Sequence, residues 1–366
     1  MESIITVNVK NNAPYDVIIT DDFKGLSDRL LSLYEKNRKL CIIADKKVYD
    51  IYGEELKKEL KKSFETVDGI ALELGEENKS LATVSDCYSF MTGHKYDRKD
   101  VVIALGGGIC GDVAGFVAAT YMRGIGFVQI PTTLLSMVDS SSGGKTGVNF
   151  ENYKNMIGAF KMPQLVYVNI SVLKTLDARE YASGMAEVLK AGLIRDGAFY
   201  EWLINNFPYI NDRETEYVSE MIEKSVNIKR FYVEKDPLEL NERAILNFGH
   251  TTGHALEKYT DFKYNHGECV ALGSVVAAFI SYKKGYLSAD EYYEIRDMFV
   301  PFDLPITLEN IDIERVVEYM KSDKKNSSGR LRFILLKKIG KGIISEDVTY
   351  DDVKEAIEEI DFKTGE

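Results

Sequence analysis

Val101-Val102-Ile103-Ala104-Leu105-Gly106-Gly107-Gly108-Ile109-Cys110-Gly111-Asp112 is the stretch on which the fold turns. An apolar, β-rich run ends on three glycines and continues into Val113 to Ala119, which suits a buried helix. Gly106, Gly108 and Gly111 satisfy GxGxxG in strand, turn, helix context. There, backbone N–H groups can approach a pyrophosphate and the helix N-terminus favours its negative charge. The competing reading is a tight turn that needs glycine for its backbone alone. In the usual dinucleotide-binding plan an acidic residue about 20 positions later holds the ribose, yet Phe127 to Leu135 contains none. Asp45, at the end of an earlier strand, is the better candidate, which implies a variant strand order.

On both sides of this motif, short β-rich runs alternate with helical patterns, as in βαβ units around a mostly parallel sheet. The predicted strands are Leu40 to Ala44, Ile70 to Leu74, Val101 to Leu105, Phe127 to Ile130 and Leu165 to Val168. Phe23, Leu26, Leu30 and Leu33 predict one crossover helix, and Val48, Ile51, Leu56 and Leu60 another. From Asp177 the rhythm changes to long helices, with one late strand over Leu331 to Leu336. The expectation is an α/β domain over 1–176 with a variant Rossmann-like nucleotide site, followed by a mainly helical domain over 177–366.

A chain of 366 residues exceeds what one hydrophobic core supports, so two domains are expected. The net charge of -12 argues against nucleic acid or an anionic membrane as the main partner. It leaves room for a small anion held by a local cluster of Lys and Arg. The opening lacks a basic and apolar leader, and the apolar run from Cys269 to Ile280 is too short to span a bilayer, so a cytoplasmic protein is expected. Cys41, Cys87, Cys110 and Cys269 form no CxxC pair and read as small buried hydrophobes.

A second glycine stretch, Ser140 to Gly147, contains Gly144-Lys145-Thr146 and invites a Walker A reading. That motif needs glycine where Asp139 stands, so an ATPase loop is rejected. What remains is Lys145 on a glycine-lined turn, with Asp139 before it and Lys154-Asn155 after it. In the second half, His250, His254 and His266 crowd into 250–266 although the chain holds only four histidines. Arg243, Asn247, His250 and His254 fall at i, i+4, i+7 and i+11, one face of a continuous helix. Glu187 and Lys190 are the only ionisable residues in the apolar stretch 184–194, and such residues are rarely buried unless paired or coordinating a metal. Two imidazoles and one carboxylate make a catalytic zinc set, because three protein ligands leave a fourth position open. The spacing alone does not say which two histidines bind. Thr251 stands where the zinc peptidase motif HExxH needs glutamate.

Several long segments occur in the order of one family: GGGICGDVAGFVAATYMRG (106–124), IPTTLLSMVDSSSGGKTGVN (130–149), KNMIGAF (154–160), SGMAEVLKAGLI (183–194), LNFGHTTGHALE (246–257) and HGECVALG (266–273). From about Asp45 to Ile339 the chain resembles the dehydroquinate synthase family, with Ser142 where that family commonly has a small apolar residue. The resemblance implies Glu187, His250 and His266 as ligands of Zn2+, for which Co2+ can substitute, and His254 as a neighbouring proton-relay group. It implies NAD against Gly106, Gly107 and Gly108, with Asp45, Glu76, Lys79, Asp112, Thr132 and Thr133 around it. Lys145, Asn155 and Arg123 become phosphate-side contacts, with the arginine lent by the second subunit of a homodimer. Lys154, and Lys324 or Lys325, join the substrate-binding set. Lys229 and Arg243 match carboxylate contacts, and Asp139, Lys190 and Asn247 hydroxyl contacts. The implied substrate is a phosphorylated sugar acid, 3-deoxy-D-arabino-heptulosonate 7-phosphate. It is cyclised to 3-dehydroquinate and phosphate by NAD-mediated transient oxidation, phosphate elimination, reduction and intramolecular aldol closure, a step toward aromatic amino acids. The rivals are a sister sugar-phosphate cyclase and a metal-dependent polyol or alcohol dehydrogenase.

Overall fold

The computed structural model describes residues 2–151, 153–323 and 331–363. The chain divides into two compact units, Met1–Leu176 with Val218–Leu238, and Asp177–Tyr217 with Glu239–Glu366. The segment Val218–Leu238 thus groups with the first unit, where the two-block reading of the sequence had put it in the second.

The strands of the first unit are β1 (Glu2–Val7), β2 (Tyr15–Thr20), β3 (Leu40–Asp45), β4 (Val67–Leu72), β5 (Val101–Gly106), β6 (Gly126–Pro131), β7 (Lys145–Phe150), β8 (Tyr153–Phe160) and β9 (Leu165–Asn169). Seven of them form one sheet in the order β1-β2-β9-β6-β5-β3-β4, parallel except for the β1/β2 pair. β5 is buried along its whole length, which explains its unbroken apolar sequence: a parallel strand covered on both faces has no polar side to show. β4 runs over Val67–Leu72 and not over Ile70 to Leu74 as the apolar run suggested. Its partner β3 ends at Asp45, whose carboxylate takes the Leu74 N–H and stops the ladder there. The chain moves from β3 to β4 in one direction and from β5 to β6 in the other, so strand order reverses between β3 and β5. In open parallel sheets, ligands bind beyond the C-terminal ends of strands at such a reversal.

β7 and β8 form a separate antiparallel hairpin that the sequence reading missed. Helix α1 (Gly108–Thr120) follows β5 and buries most of its residues. It can lie that close because it carries Gly111 and Gly115. A Cβ on Gly111 would stand 2.6 Å from Gln129 Oε1, and one on Gly115 would stand 2.4 Å from Thr146 Cγ2 and 3.0 Å from the Phe127 ring.

In the second unit, helices α2 (Ala178–Arg195), α4 (His250–Tyr259) and α5 (His266–Lys283) carry the residues of interest; α3 (Thr215–Lys235) begins there and continues into the first unit. The late strand runs over Phe333–Lys338 and pairs with Lys341–Ser345. Among the described residues no helix is long and apolar enough to cross a membrane.

Alanine at an interior helix position is normally preferred over glycine by about 1 kcal/mol. At Gly115 the clash with a β-branched side chain outweighs that gain, and overpacking of this kind costs about 1–3 kcal/mol. Gly115→Ala is therefore expected to lower the melting temperature, whereas Gly93→Ala, at the last residue of the helix Leu81–Gly93 and with nothing within 4 Å of the added Cβ, leaves it unchanged or raises it slightly. Thermal unfolding of the two variants side by side checks the difference.

Candidate active site

Gly106 ends β5, Gly107 follows it and Gly108 opens α1, and none of the three has a positive φ. A turn that needs glycine for its backbone therefore does not explain them. A Cβ on Gly107 would press on Thr133 Cγ2 at 3.0 Å, and one on Gly108 on Ser140 Oγ at 3.1 Å. The missing side chains leave backbone exposed where α1 begins, and Gly107 gives its N-terminus no side-chain cap. Uncapped N–H groups at the positive end of a helix are an anion site. Thr132 is tied through its N–H to Gly106 O at 3.0 Å, while its buried hydroxyl makes no hydrogen bond among the described residues. Thr133 exchanges hydrogen bonds with Ser136. Asp45 accepts from Lys47 N at 3.0 Å and Leu74 N at 3.3 Å, so its carboxylate is held at the end of β3, next to β5. These residues fit a dinucleotide at the strand-order reversal.

By contrast Gly143 and Gly144 have φ of 95° and 71°, so the second glycine stretch is a turn that needs glycine, and it delivers Lys145 to the start of β7. The hairpin is joined to the rest of the unit through Lys79. That lysine is 5% exposed and donates to Asp112 Oδ2 at 2.5 Å and to Asn155 Oδ1. Asn155 N–H donates to Asn149 Oδ1, and the Asn149 amide donates to Glu76. Lys154 lies 3.9 Å from Glu76. Burial pushes the Asp112 carboxyl up, with Lys79 opposing it. Glu76, Lys79, Asp112, Lys154 and Asn155 thus belong to one network. Also in this unit, Lys229 donates to Asp139 Oδ1 at 2.6 Å.

Glu187 and Lys190 are 3% and 2% exposed on α2, and Lys190 Nζ donates to Glu187 Oε2. The other oxygen, Oε1, is buried and makes no hydrogen bond among the described residues. It lies 3.5 Å from His250 Nε2 and 3.5 Å from His266 Nε2. A tetrahedral ion with bonds of about 2.1 Å has ligand atoms about 3.4 Å apart, so the set fits Zn2+. The helices meet closely enough for this because a Cβ on Gly267 would lie 2.1 Å from Ser183 O, and one on Gly273 2.0 Å from Gly249 O. The Phe248 carbonyl, 3.0 Å from His250 Nδ1, can only accept, so the proton sits on Nδ1 and Nε2 is free to ligate. Burial alone would raise the Glu187 carboxyl, but Lys190, His250 and His266 hold it well below the usual range. Burial pushes His250 down to about 3. Burial opposes charge on His266 too, yet Glu187 and Glu257 outweigh it and push it up to about 10.

The N-terminal and C-terminal models of 3-dehydroquinate synthase match residues 69–183 and 184–326. The chain belongs to the 3-dehydroquinate synthase family. The 3-dehydroquinate synthase of Ruminiclostridium cellulolyticum is 42% identical over 92% of this chain and 93% of its own. That of Colwellia psychrerythraea is 43% identical over 94% and 97%. Among solved structures, 2-epi-5-epi-valiolone synthase from Streptomyces hygroscopicus, with NAD+ and Zn2+ bound, is 25% identical. It superposes with a TM-score of 0.86 over 97% of this chain and 98% of that one.

The dehydroquinate synthase motif LNFGHTTGHALE does not form the continuous helix that its spacing predicted. Glu242–Asn247 is a 3₁₀ segment, Gly249 with φ 79° breaks the run, and α4 begins only at His250. Arg243 and Asn247 are therefore not on one helical face with His250 and His254. Arg243 is 1% exposed, with Nε 3.8 Å from Glu239, and the Asn247 amide donates to Glu239 at 2.8 Å. Glu239 and Glu257 were missed by the sequence reading. His254 is exposed, its ring centroid 5.3 Å from that of His250 and 5.9 Å from that of His266. Arg123 is exposed at the far end of α1 from the glycines. Lys324 and Lys325 lie outside the described residues.

Metal must displace the His266 proton, because protonated imidazole cannot ligate. After removal of metal by a chelator, Zn2+ uptake near neutral pH is expected to release about one proton, with affinity rising roughly tenfold per pH unit below the raised value. Calorimetry in two buffers of different ionisation enthalpy reads this; uptake independent of pH would contradict it. Glu187→Ala and His250→Ala are expected to lose the ion and His254→Ala to retain it.

Proposed function

We propose that this chain converts 3-deoxy-D-arabino-heptulosonate 7-phosphate to 3-dehydroquinate and phosphate, in a sequence with no net oxidation. The observation that carries the reading is the buried Glu187 oxygen facing two imidazole nitrogens, in a chain of this family. When bound, NAD and Zn2+ supply a transient hydride acceptor and a Lewis acid for a substrate hydroxyl. Glu187, His250 and His266 hold the ion. The N–H groups after Gly107 take the pyrophosphate, and Asp45 takes the adenosine ribose. Glu76, Lys79, Asp112, Thr132 and Thr133 line the rest of the cofactor.

Lys145, Lys154 and Asn155 bind the phosphate side, where cations favour departure of phosphate by offsetting the charge it carries away. Arg243 and Lys229 bind the carboxylate, the arginine because its planar fork donates two parallel hydrogen bonds. Asp139, Lys190 and Asn247 orient hydroxyls, and exposed His254 passes protons to and from them. Two cationic carboxylate contacts argue against a sister cyclase whose substrate has none. So does the higher identity to dehydroquinate synthases, 42% against 25% to the valiolone synthase.

The reading includes a cytoplasmic location and a homodimer. Arg123 is exposed beyond the end of α1 that lies farthest from the glycine cradle. Met122 and Arg123 both hold positive φ, 48° and 68°, a conformation that costs non-glycine residues of order 1–3 kcal/mol and recurs at ligand clamps. Phe150, Tyr153, Met156 and Phe160 on the hairpin leave apolar surface exposed, which suits a subunit contact.

Purified protein with the heptulosonate phosphate, NAD and Zn2+ should yield 3-dehydroquinate and phosphate in equal amounts while absorbance at 340 nm stays flat. NADH accumulating in step with turnover would favour a dehydrogenase instead. For the dimer, inactive Arg123→Ala and inactive Glu187→Ala proteins are mixed, unfolded and refolded together. If the arginine serves the neighbouring subunit, each heterodimer regains one intact site and activity returns to roughly a quarter of wild type by statistical pairing. No recovery would place Arg123 in its own subunit's site.

A further inference from the structure

We infer that Glu257 is a positioning residue for the metal centre: its carboxylate accepts the Nδ1 proton of His266 and so presents the Nε2 lone pair toward Glu187 and His250. His266 Nδ1 is 2.7 Å from Glu257 Oε1. An ionised carboxylate only accepts hydrogen bonds, so this contact fixes the tautomer. The side chain of Glu257 is 7% exposed, and an acid so placed needs a partner to offset its desolvation.

The backbone on both sides of the contact is already fixed. The Glu257 carbonyl accepts from Phe262 N at 2.9 Å where the chain turns back after α4. His266 opens α5 directly after Asn265, which caps that helix in a reciprocal pair with Glu268. What remains free is rotation of the imidazole, and Glu257 removes it. The two imidazole ligands are thus oriented by unlike acceptors, a neutral carbonyl for His250 and a charged carboxylate for His266. A charged acceptor forms the stronger hydrogen bond and makes the ring a better electron donor to a cation. α4 therefore carries one ligand at its first residue and the orienter of another two turns later.

His254, Glu257 and His266 also offer ligand atoms within 4.8 Å of one another. An ion there would need a second nitrogen from His266, and that nitrogen already holds the 2.7 Å hydrogen bond.

The inference rests on the metal reading above, and its test separates the two. Metal-stripped wild type, Glu257→Gln and Glu257→Ala are titrated with Zn2+ against a competing chelator, and their Co2+ forms are examined by visible absorption. Glutamine is isosteric and can still accept from Nδ1, but without charge. The expected weakening is about tenfold for Glu257→Gln and up to about 100-fold for Glu257→Ala. The Co2+ bands should shift in both, and metal-free Glu257→Gln should keep the wild-type fold by circular dichroism. Wild-type affinity and bands in both variants would overturn the inference, as would a stoichiometry falling from two ions to one, which would make Glu257 a ligand. Failure of wild type to bind any ion would sink the metal reading with it.

Discussion

Glu187 sits on a helix whose residues 181–194 are all buried, and an ionised carboxylate in such a place costs several kcal/mol unless charges and donors surround it. Lys190 supplies the charge from one turn away and satisfies one oxygen. The second oxygen is left to two imidazoles at equal distance. That arrangement stabilises the acid without consuming its coordinating lone pair. The rest of the second unit serves the same requirement: glycines allow backbone contact between the ligand-bearing helices, and backbone or carboxylate acceptors set the rings. A buried ion pair is weak evidence for stability on its own. Here it leaves one carboxylate oxygen buried and, among the described residues, without a hydrogen bond.

Much of this was legible in the sequence, and the parts that were not have physical reasons. β3, β5, β6 and β9 announced themselves because parallel strands covered on both faces are mostly apolar. The β7/β8 hairpin gave no such signal, since most of β8 is exposed and carries no alternation to read. Glu187 and the three clustered histidines, His250, His254 and His266, stood out by rarity, and only the family resemblance singled out two of the three. Glu257 did not, because an acid late in a helix reads as a solvated face until His266 is folded against it. The helical spacing from Arg243 to His254 was misleading for a different reason. Periodicity counts residues and cannot see that Gly249 takes a left-handed φ and restarts the helix.

The two glycine-rich stretches show how one residue type answers two needs. Gly143 and Gly144 are set by backbone geometry, since a Cβ is disfavoured at positive φ whatever surrounds it. Gly106 to Gly108 have ordinary φ, so glycine there is explained by what must come close to the chain. Composition alone does not separate the two. The context of the first stretch, a buried strand feeding a helix at a reversal of strand order, does.

A chain of net charge -12 that binds a phosphorylated acid has to meet an anion with cations held against a negative background. Among the described residues the buried cations are Lys79, Lys190, Lys229 and Arg243. Each has a carboxylate near it within its own unit: Asp112, Glu187, Asp139 and Glu239. Pairing offsets the cost of burying these charges and orders the side chains. Their desolvation is therefore met on folding, so an anion bound beside any of them would not have to meet it again. The excess of acid is then no obstacle to anion recognition. Part of it is what holds the buried cations in place.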